Sequence, residues 1–427
     1  MRKQIIGATL GMGLIAAAGI STCRAAAEKP EGWENNSGVL RGPAVNGLYA
    51  SGKAMTEWKE SEKKNVLWKV ELGGQGWSSP VVWGDKVIVT IADEETRTVL
   101  CYDAATGKQL WKTAVPKIEG TTDDYQLDTM DARWDVIMHA AATAATDGKL
   151  VFAAFSNGQL AALKLEDGAH VWSVALGDTS MNSYGLSNSP LIYKDKVIMV
   201  FEGDPAFVAA YNRETGKEVW KTRRTGGSSW ASPVLAKNKA GQTLVILSAD
   251  PELTAWNADD GKVVWSTKAL EGNPEYCIGP SATVVGGVVA INADNCGIFG
   301  VNLEDGEKLW SITELDDGSG FSDGASMTTD GKLLYQFFEY SLTVIDPVKG
   351  EVVVQKELDE MACYGSPIVV DGKLYIPCGN EFMVVSTGTE PAVVGQGSLN
   401  EATDSTPAFA NGRIFIRTDE HLYAVGK

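Results

Sequence analysis

TGKQLW (106–111), DGAHVW (167–172), TGKEVW (215–220), DGKVVW (260–265) and DGEKLW (305–310) are one phrase written five times. Each is an acidic residue or Thr, then Gly, three residues, and Trp. KGEVVV (349–354) is a weakened copy, a degenerate one lies near Val394, and Trp68 in NVLWKV (65–70) stands upstream. Most of the intervals between these marks fall between 40 and 48 residues; that between Trp111 and Trp172 is 61. A period in this range is the mark of a repeat architecture, each repeat being one supersecondary unit.

Working outward from each phrase, every interval opens with Ser-Pro or a relative: Ser79-Pro80, Ser189-Pro190, Ser232-Pro233, Gly279-Pro280, Ser366-Pro367 and Thr406-Pro407. Weaker openings lie near Ala141 and Ala325. Between opening and Trp run β-rich stretches such as KVIVTI (86–91), KVIMVF (196–201) and KLYIPC (373–378), separated by turn residues such as Gly84-Asp85 and Asp371-Gly372. A unit of four short strands repeated in this way is a propeller blade. Eight openings predict an all-β, eight-bladed propeller of four-stranded antiparallel blades, with seven blades the alternative. The last repeat has room for three strands, so residues 66–71 are expected to supply the fourth and close the ring, which removes exposed sheet edges.

Within the phrase, Gly suits a tight turn at positive φ. The Trp beyond it can lie across the seam to the next blade, its indole N–H on a polar atom there. Trp68, Trp111, Trp172, Trp220, Trp265 and Trp310 are therefore structural docking residues. They are six of 13 tryptophans in 427 residues.

The first 27 residues stand apart. Arg2 and Lys3 precede an uncharged run from Ile5 to Ile20, followed by small residues at Ala25 to Ala27, the layout of a secretory signal peptide. The expected organisation is signal peptide 1–27, N-terminal extension 28–64 and propeller 65–427. An exported protein, periplasmic or secreted, follows. Cys23 after Ile20-Ser21-Thr22 offers lipid anchoring as a minor alternative. No other stretch is apolar for long enough to span a bilayer. The formal net charge of −18 disfavours nucleic acid and anionic lipid, which are gripped by Lys and Arg. A monomer is expected.

The repeats resemble the tryptophan-docking repeats of the pyrroloquinoline-quinone-like β-propellers, a superfamily that includes quinoprotein alcohol dehydrogenases and BamB. LRGPAVNG (40–47), NVLWKVELGGQGWSSPVVWGDKVIVT (65–90) and LCYDAATGKQLWK (100–112) are similar to a bacterial group of PQQ-binding-like repeat proteins. The resemblance implies the propeller fold over the whole mature chain. For the dehydrogenases it implies PQQ, a Ca²⁺ ion held by Glu, Asn and Asp, an Asp base and a pair of adjacent cysteines. This chain has no Cys-Cys pair, and Glu202, Asp294 and Asp323 do not match that ligand pattern. A c-type haem motif is also missing from the sequence, and His139, His170 and His421 lack metal-ligand spacing.

From these residues the expected function is a non-catalytic envelope scaffold that binds a protein partner. No catalytic, cofactor-binding or metal residue is assigned and no cofactor is expected. One alternative is a PQQ- and Ca²⁺-dependent dehydrogenase; another is a carbohydrate- or polymer-binding module with Trp77 and Trp230 as stacking platforms. Loops entering the innermost strands share one face, the top. Residues three before each opening Pro (Trp77, Trp230, Cys277, Tyr364, Asp404) should ring the channel mouth there. The long interval before Trp172 adds an acidic insertion carrying Tyr125 and Trp134. Cys277–Cys296 and Cys363–Cys378 are expected as disulfides within blades, with Cys101 a buried free thiol.

Overall fold

The computed structural model describes residues 32–49, 52–93, 95–122, 139–179, 186–203, 205–224, 229–249, 252–268, 279–294 and 296–427. Eight antiparallel sheets follow one another around a ring, so the chain is an eight-bladed β-propeller. Blades one to six span residues 81–114, 145–175, 191–223, 234–267, 283–312 and 328–357. Blade seven spans 368–403, its second and third strands running together as Lys373–Ser386. Blade eight takes Ala408–Ala410, Arg413–Arg417 and His421–Val425, and Val66–Glu71 completes it as the outermost strand.

Burial follows this order. Inner and middle strands such as Lys196–Phe201 are buried along their length, because neighbouring blades cover both faces of each sheet. Outermost strands alternate, with one indole turned inward, as in Glu218–Arg223. Each docking indole donates to a carbonyl of the next blade. Trp68 donates to Ala104 at 3.2 Å, Trp111 to Leu165 at 3.0 Å, Trp172 to Arg213 at 2.9 Å and Trp220 to Ala258 at 3.2 Å. Trp265 donates to Leu303 at 2.9 Å and Trp310 to Pro347 at 2.8 Å.

The phrase glycines have φ between 68° and 73°. The turn is not their only reason: the docked indole lies flat against them. A Cβ on Gly261 would stand 2.4 Å from Trp220, and one on Gly168 would stand 2.6 Å from Trp111. Side chains opening the turn close it locally, Asn212 Oδ1 accepting from the amides of Glu214 and Thr215 and from the Thr215 hydroxyl. The seam between blades seven and eight is filled differently. Trp58, 2% exposed, sits on Glu57–Lys59, which pairs in parallel with the outer strand of blade seven, and its ring lies against Gly397 and Phe382.

The segment before Glu57 runs along the bottom of the channel, touching innermost strands in blade order. Ser37 bridges Val82 of blade one, and the Gly38 carbonyl accepts from Thr146 of blade two. Val39 and Val45 border Leu191 and Leu235 of blades three and four. Arg41 reaches blades five and six, and the Asn46 carbonyl accepts from Thr328. Leu48–Tyr49 pairs with blade seven, and Gly52 abuts Phe409 of blade eight. The channel is thus floored by the protein's own leader.

Candidate functional site

A closed ring of hydrogen bonds collars the channel above that floor. The amide of Ser79 donates to Thr143, Thr143 to Ser189, Ser189 to Ser232 and Ser232 to Ser281. Ser281 donates to Ser326, Ser326 to Ser366, Ser366 to Thr406 and Thr406 back to Ser79. All eight distances fall between 2.8 and 3.0 Å, each from a backbone N–H to the hydroxyl of the next blade. Each hydroxyl oxygen uses one lone pair in the ring and keeps its proton and a second lone pair. The Ser of Ser-Pro is therefore chosen for its hydroxyl, and Pro is tolerated because the position after the collar gives no amide to the ring.

The collar corrects the register of blade five. Its collar hydroxyl is Ser281, so Gly279-Pro280 stands two residues ahead of the true opening. The rim position, two residues before each collar hydroxyl, is Gly279 in that blade and not Cys277, which lies outside the described residues. Applied to all blades, the same rule puts Trp77, Ala141, Ser187, Trp230, Gly279, Gly324, Tyr364 and Asp404 at the mouth. Each of them is half-buried except Tyr364, which is 49% exposed.

Three of the expected rim residues come together. Trp77 and Tyr364 stack with ring centroids 6.1 Å apart at 28°, and the Tyr364 amide donates to Asp404 Oδ1 at 3.3 Å. The Tyr364 ring lies against blade six, where a Cβ on Gly324 would meet it at 2.3 Å. Trp230 stands in blade four, away from this group in ring order. Tyr125 and Trp134 lie outside the described residues.

Two arginines that sequence reasoning passed over are buried beside this chamber. Arg41, 3% exposed, donates to the carbonyls of Ala282 and Met327 and to the Thr283 hydroxyl. Burial pulls its pKa down to about 9. Arg417, 1% exposed, gives Nη1 to Ser78 and Thr90, while Nε and Nη2 have no hydrogen-bond partner. Burial lowers its pKa to about 9 as well, with the charges of Asp419 and Tyr102 opposing the fall. Neither guanidinium is hydrogen-bonded to a carboxylate among the described residues. A lone RG or IR dipeptide carries no such signal; only the collar places these side chains.

Acidic groups sit higher. Glu202, at the top of blade three, pairs with Arg224, and burial lifts its carboxyl to about 7. Its Oε1 has no partner, nor do the buried Oδ1 atoms of Asn188 and Asn292. Among the described residues, Glu401, Glu420 and His421 form a cluster whose ligand atoms lie within 4.8 Å of one another, on the rim of blades seven and eight. Its His421–Glu401 contact of 2.7 Å joins residues 20 apart on different sheets, which is why spacing did not reveal it.

The expected disulfides are not seen among the described residues. Cys363 and Cys378 come near each other, the Cys363 thiol helping to raise that of Cys378, yet both are free. Each sulfur is turned to a backbone carbonyl, Cys363 to Pro377 at 3.4 Å and Cys378 to Ile376 at 3.6 Å. Cys277, the expected partner of Cys296, lies outside the described residues. Cys101 is a buried free thiol, lifted by burial to about 12. No helix among the described residues is long and apolar enough to cross a membrane.

Known proteins share this fold. Residues 56–223 and 204–427 match the family model described as outer membrane protein assembly factor BamB. Curated relatives include the quinohemoprotein alcohol dehydrogenase ADH IIB of Pseudomonas putida, 28% identical over 161 residues, which are 36% of this chain and 21% of the relative. Another is the dehydrogenase subunit of the quinone alcohol dehydrogenase of Gluconobacter oxydans, 35% identical over 173 residues, 37% of this chain and 21% of the relative. The chain thus spans 14 to 32% of the length of the curated relatives it matches. Among solved structures, a europium-containing methanol dehydrogenase superposes with a TM-score of 0.67 at 12% identity, covering 92% of this chain and 98% of that one. BamB from Moraxella catarrhalis gives 0.59 at 16%, covering 85 and 97%. At these identities the structures speak for the fold alone.

The relatives overturn two expectations, a non-catalytic scaffold and the absence of a cofactor. The sequences that align are named quinoprotein, quinohemoprotein and quinone alcohol dehydrogenases and a methanol dehydrogenase. Both expectations rested on the missing Cys-Cys and Ca²⁺ patterns. By its repeats, its ring and its match over most of its length, the chain belongs to the PQQ-like β-propeller family whose model is described as outer membrane protein assembly factor BamB.

Proposed function

We propose that the protein is a quinoprotein-type oxidoreductase that binds a pyrroloquinoline quinone in its channel and oxidises an alcohol. The observation that carries this is the alignment with quinone-dependent alcohol dehydrogenases at 28 to 36% identity. The chamber suits such a ligand, which is flat and bears several carboxylates. Trp77 and Tyr364 provide a stacked aromatic face at the mouth, the collar provides hydroxyl protons, and Arg41 and Arg417 provide buried positive charge. When bound, the quinone would supply a two-electron, two-proton oxidant for the conversion of an alcohol to its carbonyl compound.

The residues of this chain bind and orient. The leader closes the bottom, so substrate enters past the aromatic rim. For a hard cation, Glu202, Asn188 and Asn292 offer buried oxygens without donors, spread over blades three and five. They are not assembled into one ligand set among the described residues, and no step is assigned to a metal. Arg2, Lys3 and the apolar run to Ile20 support action outside the cytoplasm.

Purified protein incubated with pyrroloquinoline quinone and Ca²⁺, then desalted, tests the proposal. Retained quinone absorbance and dye reduction on addition of a primary alcohol are expected. Neither retained quinone nor dye reduction would refute it.

A further inference from the structure

The leader does more than close the channel. Arg41 lies in the left-handed region, at φ 62°, a conformation that is strained for a non-glycine residue. Gly42, Val45 and Gly47 follow it at positive φ, so the whole LRGPAVNG stretch is tightly coiled. The coil delivers one long side chain to the innermost strands of blades five and six. Its acceptors, Ala282, Thr283 and Met327, directly follow the collar hydroxyls Ser281 and Ser326. The guanidinium therefore sits immediately beneath the collar.

Those acceptors are all neutral, and Nε is buried with no partner. A buried guanidinium is ordinarily matched by a carboxylate, since desolvating an unpaired charge is costly. Here the described residues supply none, although the protein has 55 acidic residues against 37 basic ones. Above the guanidinium the eight collar hydroxyls keep their protons free of acceptors among the described residues. A floor of unpaired positive charge beneath a wall of O–H donors is complementary to an anion.

We infer that Arg41 and the collar form an anion site at the base of the channel, which takes a carboxylate group of a ligand entering from the top. The inference rests on the channel being a ligand chamber, as in the proposed function, but not on the ligand being a quinone. Strain in the leader is explained by it: the sharp coil brings a cation to blades five and six, whose innermost strands, Thr283–Val285 and Thr328–Thr329, carry none. Val39 and Val45 of the leader line a cleft of about 150 Å³ against blades three and four, and Arg41 is not part of that lining.

Binding is measured on the full chain by calorimetry with three probes: pyrroloquinoline quinone, its trimethyl ester, and citrate, a tricarboxylate without redox chemistry. Wild-type protein is expected to bind the acid at least about 10-fold more tightly than the ester, the margin of a charge-assisted hydrogen bond. Arg41→Gln should weaken the acid by about 10- to 100-fold and leave the ester unchanged, with Arg41→Lys between them. Equal wild-type affinity for acid and ester overturns the inference without any variant, so misfolding of Arg41→Gln cannot shield it. Unchanged binding of the acid by folded Arg41→Gln overturns it too, while leaving the quinone proposal standing. Citrate bound by wild type and lost in Arg41→Gln, with no quinone retained, upholds the anion site and refutes the quinone. If none of the three probes binds wild type, the site is refuted.

Discussion

Gly261→Ala isolates what holds the blades together. Gly261 has φ 71°, and an added Cβ would stand 2.4 Å from Trp220 Cε3 and 2.6 Å from Cδ2. Left-handed backbone costs an alanine about 1–2 kcal/mol. The indole cannot retreat, because its N–H is held by Ala258 at 3.2 Å and the ring is buried in the seam, so overpacking adds about 1–3 kcal/mol. The loss should be about 2–5 kcal/mol. At Gly241, in the same blade at φ 83°, an added Cβ would meet nothing within 4 Å, so Gly241→Ala carries strain alone, about 1–2 kcal/mol. Urea unfolding of both variants, and of Gly261→Ala in a Trp220→Ala background, reads the difference. In that background the Gly261→Ala cost should fall to the Gly241→Ala value. If Gly261→Ala is no worse than Gly241→Ala in the wild-type background, the docking account is refuted.

Further outcomes follow from the same geometry. Ser281→Ala removes the acceptor for the buried Ser232 amide and should cost about 1–3 kcal/mol in urea unfolding; a loss under about 0.5 kcal/mol would show the collar to be incidental. Glu202, raised from 4.5 to about 7 by burial, holds its proton more tightly folded than unfolded. Its contribution is complete below pH 4.5 and is lost as pH rises through 7, a fall of roughly 2–3 kcal/mol that Glu202→Gln should flatten. Cys363, pushed up to about 11 by burial, should react with a thiol reagent at pH 8 about 100-fold more slowly than free cysteine, and rapid labelling would contradict that shift.

The fold was legible because its signals are local and repeated. Gly and Trp four apart mark a turn and a seam, and eight openings count the blades. Where repetition weakened, legibility failed in definable ways. Gly279-Pro280 imitates Ser-Pro but sits two residues early, since what blade five must supply is a hydroxyl, met by Ser281-Ala282 without Pro. Trp58 replaces the indole that the outer strand of blade seven lacks, arriving from the leader by parallel pairing that no periodicity announces. The site was less legible still. Counting from Pro singles out Trp77, Tyr364 and Asp404, which the structure brings into contact. Arg41 and Arg417 were invisible, because a residue joined to partners more than 200 positions away leaves no spacing to read.

Whether the channel between the leader floor and the aromatic rim holds the cofactor is tested most directly by a crystal structure of the protein with pyrroloquinoline quinone. One quinone per chain is expected below Trp77 and Tyr364, with a carboxylate on Arg41. Quinone bound elsewhere, or a channel too tightly filled by the leader to admit it, would contradict a cofactor site in the channel.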